Sequence, residues 1–306
     1  MPTSLLTPGK LLVLPSGATS HGWHSIEAFI RCPKEHQLAS VRGIEPLSLE
    51  MRMPFAVGIL LHAARAQWLN DGWKGDLWKK AIIEAEKREK RFPINARDVA
   101  LLTFAEYVRH WSVRPRFQVL AVEYELKPRG LAKNAPEWAR RGARLDSIER
   151  DPQTGEIWAG EAKSTAQGPS KVHDNYLLHG QVLLQMALWG EEETKLFGPL
   201  AGVLLDVVKK HPEPKCYDRI KLRTADAKHA LEWFKRDMKG WLLQSQMVDW
   251  GSKPERRPQC VRQYGACDFR DLCLGGKKHA NEYVFRDGRR LTDWKPTAEE
   301  PTPPWE

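Results

Sequence analysis

In the segment GEIWAGEAKST, residues 155–165, an acid and an amine stand two positions apart, Glu161 and Lys163. Side chains alternate between the two faces of an extended chain. In a strand, Glu161 and Lys163 therefore point the same way, together with Ala159 and Ile157. A second acid, Asp146, lies upstream in GARLDSIER, and DPQTG between the two segments carries a strong turn signal. An antiparallel hairpin over these residues brings the Asp146 and Glu161 carboxylates to one face. Two carboxylates, joined by a backbone carbonyl, make a hard oxygen site suited to Mg²⁺ or Mn²⁺. Lys163 on the same face can hold or deprotonate an attacking water, or neutralise charge building on a phosphate. The chemistry such a set performs is hydrolysis of a phosphodiester by a metal-activated water. The bland alternative is a solvated strand face with each acid paired to a nearby arginine, so the surrounding elements must decide.

Those elements fall into a helical first part and a mixed second part. SHGWHSIEAFIRCPKEHQLASV reads as a helix capped by Ser25 or Ser20, with Ile26, Phe29 and Ile30 as its apolar stripe and a break at Pro33. PFAVGILLHAARAQWLNDG is a second helix, begun near Pro54 and stopped by Asn70-Asp71-Gly72. DLWKKAIIEAEKREKRF and NARDVALLTFAEYVRHW are two more, the latter capped by Asn95. RFQVLAVEYELKP then alternates polar and apolar residues like a strand, ahead of the two hairpin strands. NYLLHGQVLLQMALWG reads as a helix, LAGVLLDVVKK as a buried strand, YDRIKLRT as an edge strand, and ADAKHALEWFKRDMKGWLLQSQ as a long helix after a Thr224 cap. The fold class expected is α/β, a mixed sheet flanked by helices. The expected organisation is an N-terminal helical region at 1–112, a core at 113–250, a cysteine-rich segment at 251–280, and a partly disordered tail at 281–306 that ends in the Pro-rich KPTAEEPTPPWE.

The chain of 306 residues carries a formal charge of +9 and a pI near 9.3, which favours a polyanionic partner, most simply nucleic acid. No apolar run approaches the roughly 18 residues of a membrane span, and the N-terminus lacks the features of a signal peptide, so a cytoplasmic protein without a membrane partner is expected. Cys32, Cys216, Cys260, Cys267 and Cys273 are an odd set for a disulfide framework. The last three crowd together in CVRQYGACDFRDLC, which points to a metal ion or cluster. Four thiolates suit either a tetrahedral zinc or an iron–sulfur cluster, which leaves Cys32 and Cys216 as candidates for the fourth.

Asp146 followed by Glu161-x-Lys163 after a hairpin resembles the Asp…(Asp/Glu)-x-Lys signature of the PD-(D/E)XK nuclease superfamily. GILLHAA resembles the helical G-x-x-x-H motif of its RecB-like branch, and HGQVLLQMALW the downstream glutamine helix of that branch. SIEAFIRCPKEHQL resembles the N-terminal segment of RecB-like nucleases that carry a [4Fe–4S] cluster, such as the four-cysteine CRISPR-associated exonucleases and AddB-type helicase–nucleases. The resemblance spans Ser25 to Cys273. It implies a restriction-endonuclease-like core with metal ligands His62, Asp146, Glu161 and the Ala162 carbonyl. Lys163 would orient or activate the water, and Gln181 would support it. The relatives' Gln-x-x-x-Tyr is here Gln181-x-x-x-Gln185. The cluster implied is held by Cys32, Cys260, Cys267 and Cys273, not by Cys216, and acts as a structural staple closing the C-terminal segment back on Cys32; zinc is the alternative. The relatives often have two residues between the first two C-terminal cysteines, where this chain has C-x6-C.

The activity implied is Mg²⁺- or Mn²⁺-dependent DNA hydrolysis, exonucleolytic on single-stranded ends, in replication, recombination or repair and plausible for a phage. Arg141, Arg144 and Tyr176 are candidate DNA contacts, as are Arg114, Arg116, Arg140 and Trp138. Glu123 on the first strand is either a further acid near the metal or half of a salt bridge. The competing reading is a non-cleaving nucleic-acid-binding module of the same fold with zinc in place of the cluster.

Overall fold

A computed structural model describes residues 6, 8–12, 22–47, 53–88, 92–130, 140–165, 172–173, 176–177, 179–209, 215–247, 261–262, 265–286, 288–296 and 303–304. In chain order the first elements are α1 (Trp23–Arg31), α2 (Pro33–His36), a π-helical turn at Gln37–Val41, β1 (Ile44–Pro46), α3 (Met53–Asn70), α4 (Leu77–Arg88) and α5 (Ala96–Ser112). Then come β2 (Gln118–Gly130), β3 (Arg140–Arg150), β4 (Ile157–Thr165), α6 (Gly180–Leu188), α7 (Glu191–Phe197), β5 (Leu200–Lys209), β6 (Lys215–Cys216) and β7 (Ile220–Arg223). The last are α8 (Lys228–Met247), β8 (Val261–Arg262), β9 (Gly265–Ala266), α9 (Arg270–Gly275) and β10 (Tyr283–Phe285). They gather into two compact units, Met1–Thr19 with Glu50–Lys235, and Ser20–Leu49 with Arg236–Glu306.

The first unit is built on a six-stranded sheet in the order β2-β3-β4-β5-β6, with β7 also paired to β5. β2, β3 and β4 form an antiparallel meander, whereas β4 and β5 run parallel and are joined through α6 and α7. The expected hairpin is present. Asp151 closes its turn by accepting the Gln153 N–H at 2.9 Å, and Gly155 supplies a left-handed φ of 75°. β5 lies inside the sheet, which explains its continuous apolar run: Val203, Leu204, Leu205 and Val207 are all fully buried. Gly160 faces Ser147 across the hairpin, and a Cβ there would lie 2.0 Å from the Ser147 hydroxyl.

α3, α4 and α5 bury an aromatic cluster of Trp68, Trp73, Trp78, Phe104, Tyr107 and Trp111. Rings stand edge-on around Trp68, with centroids 5.3 Å away at Trp73 and 5.7 Å at Tyr107. This cluster fixes α3, the helix that carries His62. No helix among the described residues is long and apolar enough to cross a membrane.

Several local expectations need correction. α1 begins at Trp23 after an extended Gly22, so Ser25 sits inside its first turn and caps nothing; Ser20 lies outside the described residues. Asn95 occupies the N-cap position of α5 without a side-chain cap bond. α6 starts at Gly180 because His179 is extended and accepts the Gln181 N–H through its ring nitrogen. α8 starts at Lys228 after a turn at Thr224–Ala227, and the Thr224 hydroxyl is buried with no hydrogen-bond partner among the described residues. Sequence reading also missed α7, a seven-residue helix whose Glu193 carboxylate accepts the Gly190 N–H at its own N-terminus.

In the second unit, β1 pairs antiparallel with β10, matching Ile44 to Phe285 and Pro46 to Tyr283. Leu38, Ile44, Phe269, Leu272, Ala280, Tyr283, Phe285 and Leu291 form its core, with Cys267 and Cys273 packed against it. The break predicted at Pro33 is present: Cys32 is extended between α1 and α2. The 251–260 stretch, with Cys260, lies outside the described residues, as does most of the tail beyond residue 296.

Candidate functional site

Asp146 and Glu161 stand on β3 and β4 just past Ser147–Gly160, the last paired position of the hairpin. There Asp146 Oδ2 accepts the Ala162 backbone N–H at 2.7 Å, so a side chain takes over from the ladder and ties the two strands together. From α3, His62 places Nδ1 3.5 Å from Asp146 Oδ2. Its Nε2 lies 2.8 Å from Glu123 Oε1. Glu123 falls opposite Asp146 in the β2–β3 register, between the pairs Val122–Ser147 and Tyr124–Leu145. It is held at a φ of 50°, rare for a non-glycine residue. Among the described residues, His62, Glu123 and Asp146 are the one set of three His, Cys, Asp or Glu ligand atoms gathered within 4.8 Å.

Glu161 is held differently. Gln181 Nε2 donates to its Oε1 at 2.9 Å, and Gln185 Nε2 to its Oε2 at 2.7 Å. Lys163 Nζ lies 2.7 Å from Glu161 Oε1 and donates to Gln181 Oε1 at 3.0 Å. Gln181 and Gln185 are one helical turn apart on α6, so both amides reach one carboxylate from the same helix face. Gln185 therefore takes up Glu161 directly, where the related motif carries a tyrosine. Tyr176 presents its ring 5.4 Å from the Lys163 ammonium, a cation–π contact.

Charge balance decides the protonation states. Burial opposes charge on His62, but the Asp146 and Glu123 carboxylates outweigh it and raise its pKa well above the usual imidazole value. Burial works against ionised Asp146 too, yet His62, Arg65 and the Ala162 N–H lower its pKa below the ordinary carboxylate range. For Lys163 burial is again the opposing influence, overcome chiefly by Glu161, which raises the ammonium's pKa above its normal value. In this site Lys163 is therefore held as a cation beside Glu161.

Behind the site, reached through a small cavity of about 50 Å³ lined by Leu61, His62, Arg65, Tyr107, Lys163 and Asp206, lies a second polar group that the sequence reading missed. Arg65 Nε bonds Asp206 Oδ2 at 3.0 Å, and its Nη2 bonds Glu149 Oε1 at 3.2 Å. Arg219 bonds the same two acids, Glu149 at 2.5 Å and Asp206 at 3.1 Å, while stacked over Trp73 and Trp111. The Tyr107 hydroxyl also donates to Asp206. A lone aspartate in the apolar run LAGVLLDVV was the available signal, because a fully buried acid requires partners.

Of the expected nucleic-acid contacts, Arg144 lies at the site with Nε 3.2 Å from Glu123 Oε2. Arg116 donates to the Trp111 and Trp73 carbonyls and lies over Trp68. Arg114 donates to the His110 carbonyl near the end of α5. Arg141 and Arg140 lie on β3 with side chains outside the described set, and Trp138 is outside the described residues altogether. Cys216 is a core thiol on β6; burial pushes its pKa above the ordinary thiol value.

A mixed sheet flanked by helices, with Asp146 and Glu-x-Lys on adjacent strands, defines a restriction-endonuclease-like fold. A sequence model of the PD-(D/E)XK nuclease superfamily matches residues 23–274, and the chain belongs to that superfamily. No curated protein matches the chain. Nucleases of this superfamily use divalent metal ions. The donor set here suits such an ion: imidazole nitrogen and carboxylate oxygens are the ligands that Mg²⁺ and Mn²⁺ accept.

Proposed function

We propose that the chain is an Mg²⁺- or Mn²⁺-dependent deoxyribonuclease of the RecB-like branch, acting as an exonuclease on single-stranded DNA ends in replication, recombination or repair. The observation that carries this reading is the convergence of His62, Asp146, Glu161 and Lys163 on the open end of the β3–β4 hairpin. A divalent ion would be held by His62, Asp146, Glu161 and the Ala162 carbonyl, and would supply Lewis acidity toward the scissile phosphate.

The chain's own residues do the rest. Lys163, kept cationic by Glu161, donates to the attacking water and offsets charge building on the phosphate. Gln181 fixes the ammonium and the carboxylate together, since its oxygen accepts from Lys163 and its nitrogen donates to Glu161. Gln185 pins the other Glu161 oxygen. Tyr176 offers a ring beside Lys163 on which a terminal base can stack.

The second unit carries the proposed [4Fe–4S] staple on Cys32, Cys260, Cys267 and Cys273. Cys267 lies close enough to Arg31, the residue before Cys32, to act on its charge, and Cys216 is withdrawn into the other unit's core. Thiolate ligation of this kind suits the reducing cytoplasm of a bacterial or phage-infected cell. The decisive assay incubates end-labelled single- and double-stranded DNA, and RNA, with Mn²⁺. Metal-dependent release of mononucleotides from single-stranded DNA by the wild type, lost in Lys163→Ala, is expected. Equal background release by both proteins would contradict a catalytic role.

A further inference from the structure

The ligand set inferred above leaves one acid without a task. Glu123 has a side chain only 10% exposed, and no amide or backbone N–H among the described residues satisfies either of its oxygens. Its neighbours are His62 at 2.8 Å and Arg144 at 3.2 Å, and its backbone is turned to a left-handed φ of 50° within a strand. Glu161, by contrast, has amide or ammonium partners on both oxygens. Glu123 and Asp146 thus converge on one imidazole, and two buried carboxylates so close are unfavourable unless enough positive charge meets them.

The geometry points to Glu123 as a direct ligand of the divalent ion, completing a His62–Asp146–Glu123 cation site fed from α3, β3 and β2. The three ligand atoms already lie within 4.8 Å of one another. Ligands bonded to one ion at roughly 2.1 Å can be no more than about twice that distance, ~4.2 Å, apart, so only a small inward adjustment is required. The assignment deepens the metal-dependent reading and rests on it. It gives the ion, beside His62, Asp146 and Glu161, a further side-chain anchor that holds even while Glu161 keeps its glutamines.

Binding of Mn²⁺ to the purified full chain, measured without nucleic acid by calorimetry and by loss of the free-ion electron paramagnetic resonance signal, tests the assignment. Glu123→Gln is the informative variant, because its amide oxygen can still accept an imidazole N–H while the anionic donor is gone. A Kd for Mn²⁺ raised about tenfold or more in Glu123→Gln is expected. Arg144→Met removes the other neighbour of Glu123 and should bind Mn²⁺ at least as tightly as the wild type, since a competing cation has left. Wild-type affinity in Glu123→Gln would overturn the assignment, as would equal losses in the two variants, which would reduce Glu123 to a partner of Arg144. Failure of the wild type itself to bind Mn²⁺ would instead sink the metal-dependent reading, so the two failures are distinguishable.

Discussion

Two buried polar groups share the sheet of the first unit, and they solve the problem of charge differently. In the rear group, Arg65 and Arg219 face Asp206 and Glu149, so two guanidinium ions meet two carboxylates and the charges balance permanently. In the front group, among the described residues, Asp146, Glu123 and Glu161 are ion-paired with two permanent cations, Arg144 and Lys163. The third positive charge resides on His62, whose proton can leave. The difference separates a structural network from an exchangeable site: a divalent ion can take the place of the His62 proton, whereas nothing can readily replace an arginine's charge.

The largest effect that would sharpen this contrast is on catalysis. Asp146→Asn keeps an oxygen for the Ala162 N–H but loses the charge, so DNA cleavage should fall about 10³-fold, or ~4 kcal/mol of transition-state stabilisation, with little change in thermal stability. Arg219→Met should do the reverse. Leaving Glu149 and Asp206 short of a buried partner costs about 3–5 kcal/mol of folding stability, measurable by urea titration. A catalytic loss without destabilisation in that variant would break the contrast.

A smaller effect is expected from Gln185→Leu, which strips one donor from Glu161. Turnover should drop about tenfold, with Mn²⁺ affinity nearly unchanged. The smallest effect concerns pH. Because the folded-state pKa of His62 is raised, its contribution to stability is complete below about pH 6.5 and is lost as pH rises through the higher folded value. In the presence of chelator, the stability gap between wild type and His62→Gln should therefore be widest in mild acid and shrink at alkaline pH. It is on the order of 1 kcal/mol, since His62 is 30% exposed and water screens part of its pairing.

Much of the front group was legible in the sequence because its signals are local. Asp146, the DPQTG turn and Glu161-x-Lys163 lie within one hairpin, and strand alternation alone puts Glu161 and Lys163 on one face. Gln185 was visible as a departure from a motif, but its bond to Glu161 was not, because only the packing of α6 against β4 brings them together. Glu123 appeared as an ambiguous strand acid; its register opposite Asp146 depends on the β-bulge between Val119 and Ala121, which no local pattern announces. The rear group was missed for a related reason. Arg65, Glu149, Asp206 and Arg219 are up to 154 positions apart in sequence and belong to elements that meet only in the folded core. Helix starts were misplaced where a serine or threonine offered a cap and the backbone began its helix elsewhere, as at Trp23 and Lys228.

Crystals of the protein grown or soaked with Mn²⁺, with data collected to use the anomalous signal of manganese, test the central claim most directly. The account predicts an anomalous peak within bonding distance of His62 and Asp146, with Glu123 turned toward it. Saturating Mn²⁺ with no peak between those side chains, and the His62 imidazole still seated against both carboxylates, would contradict it.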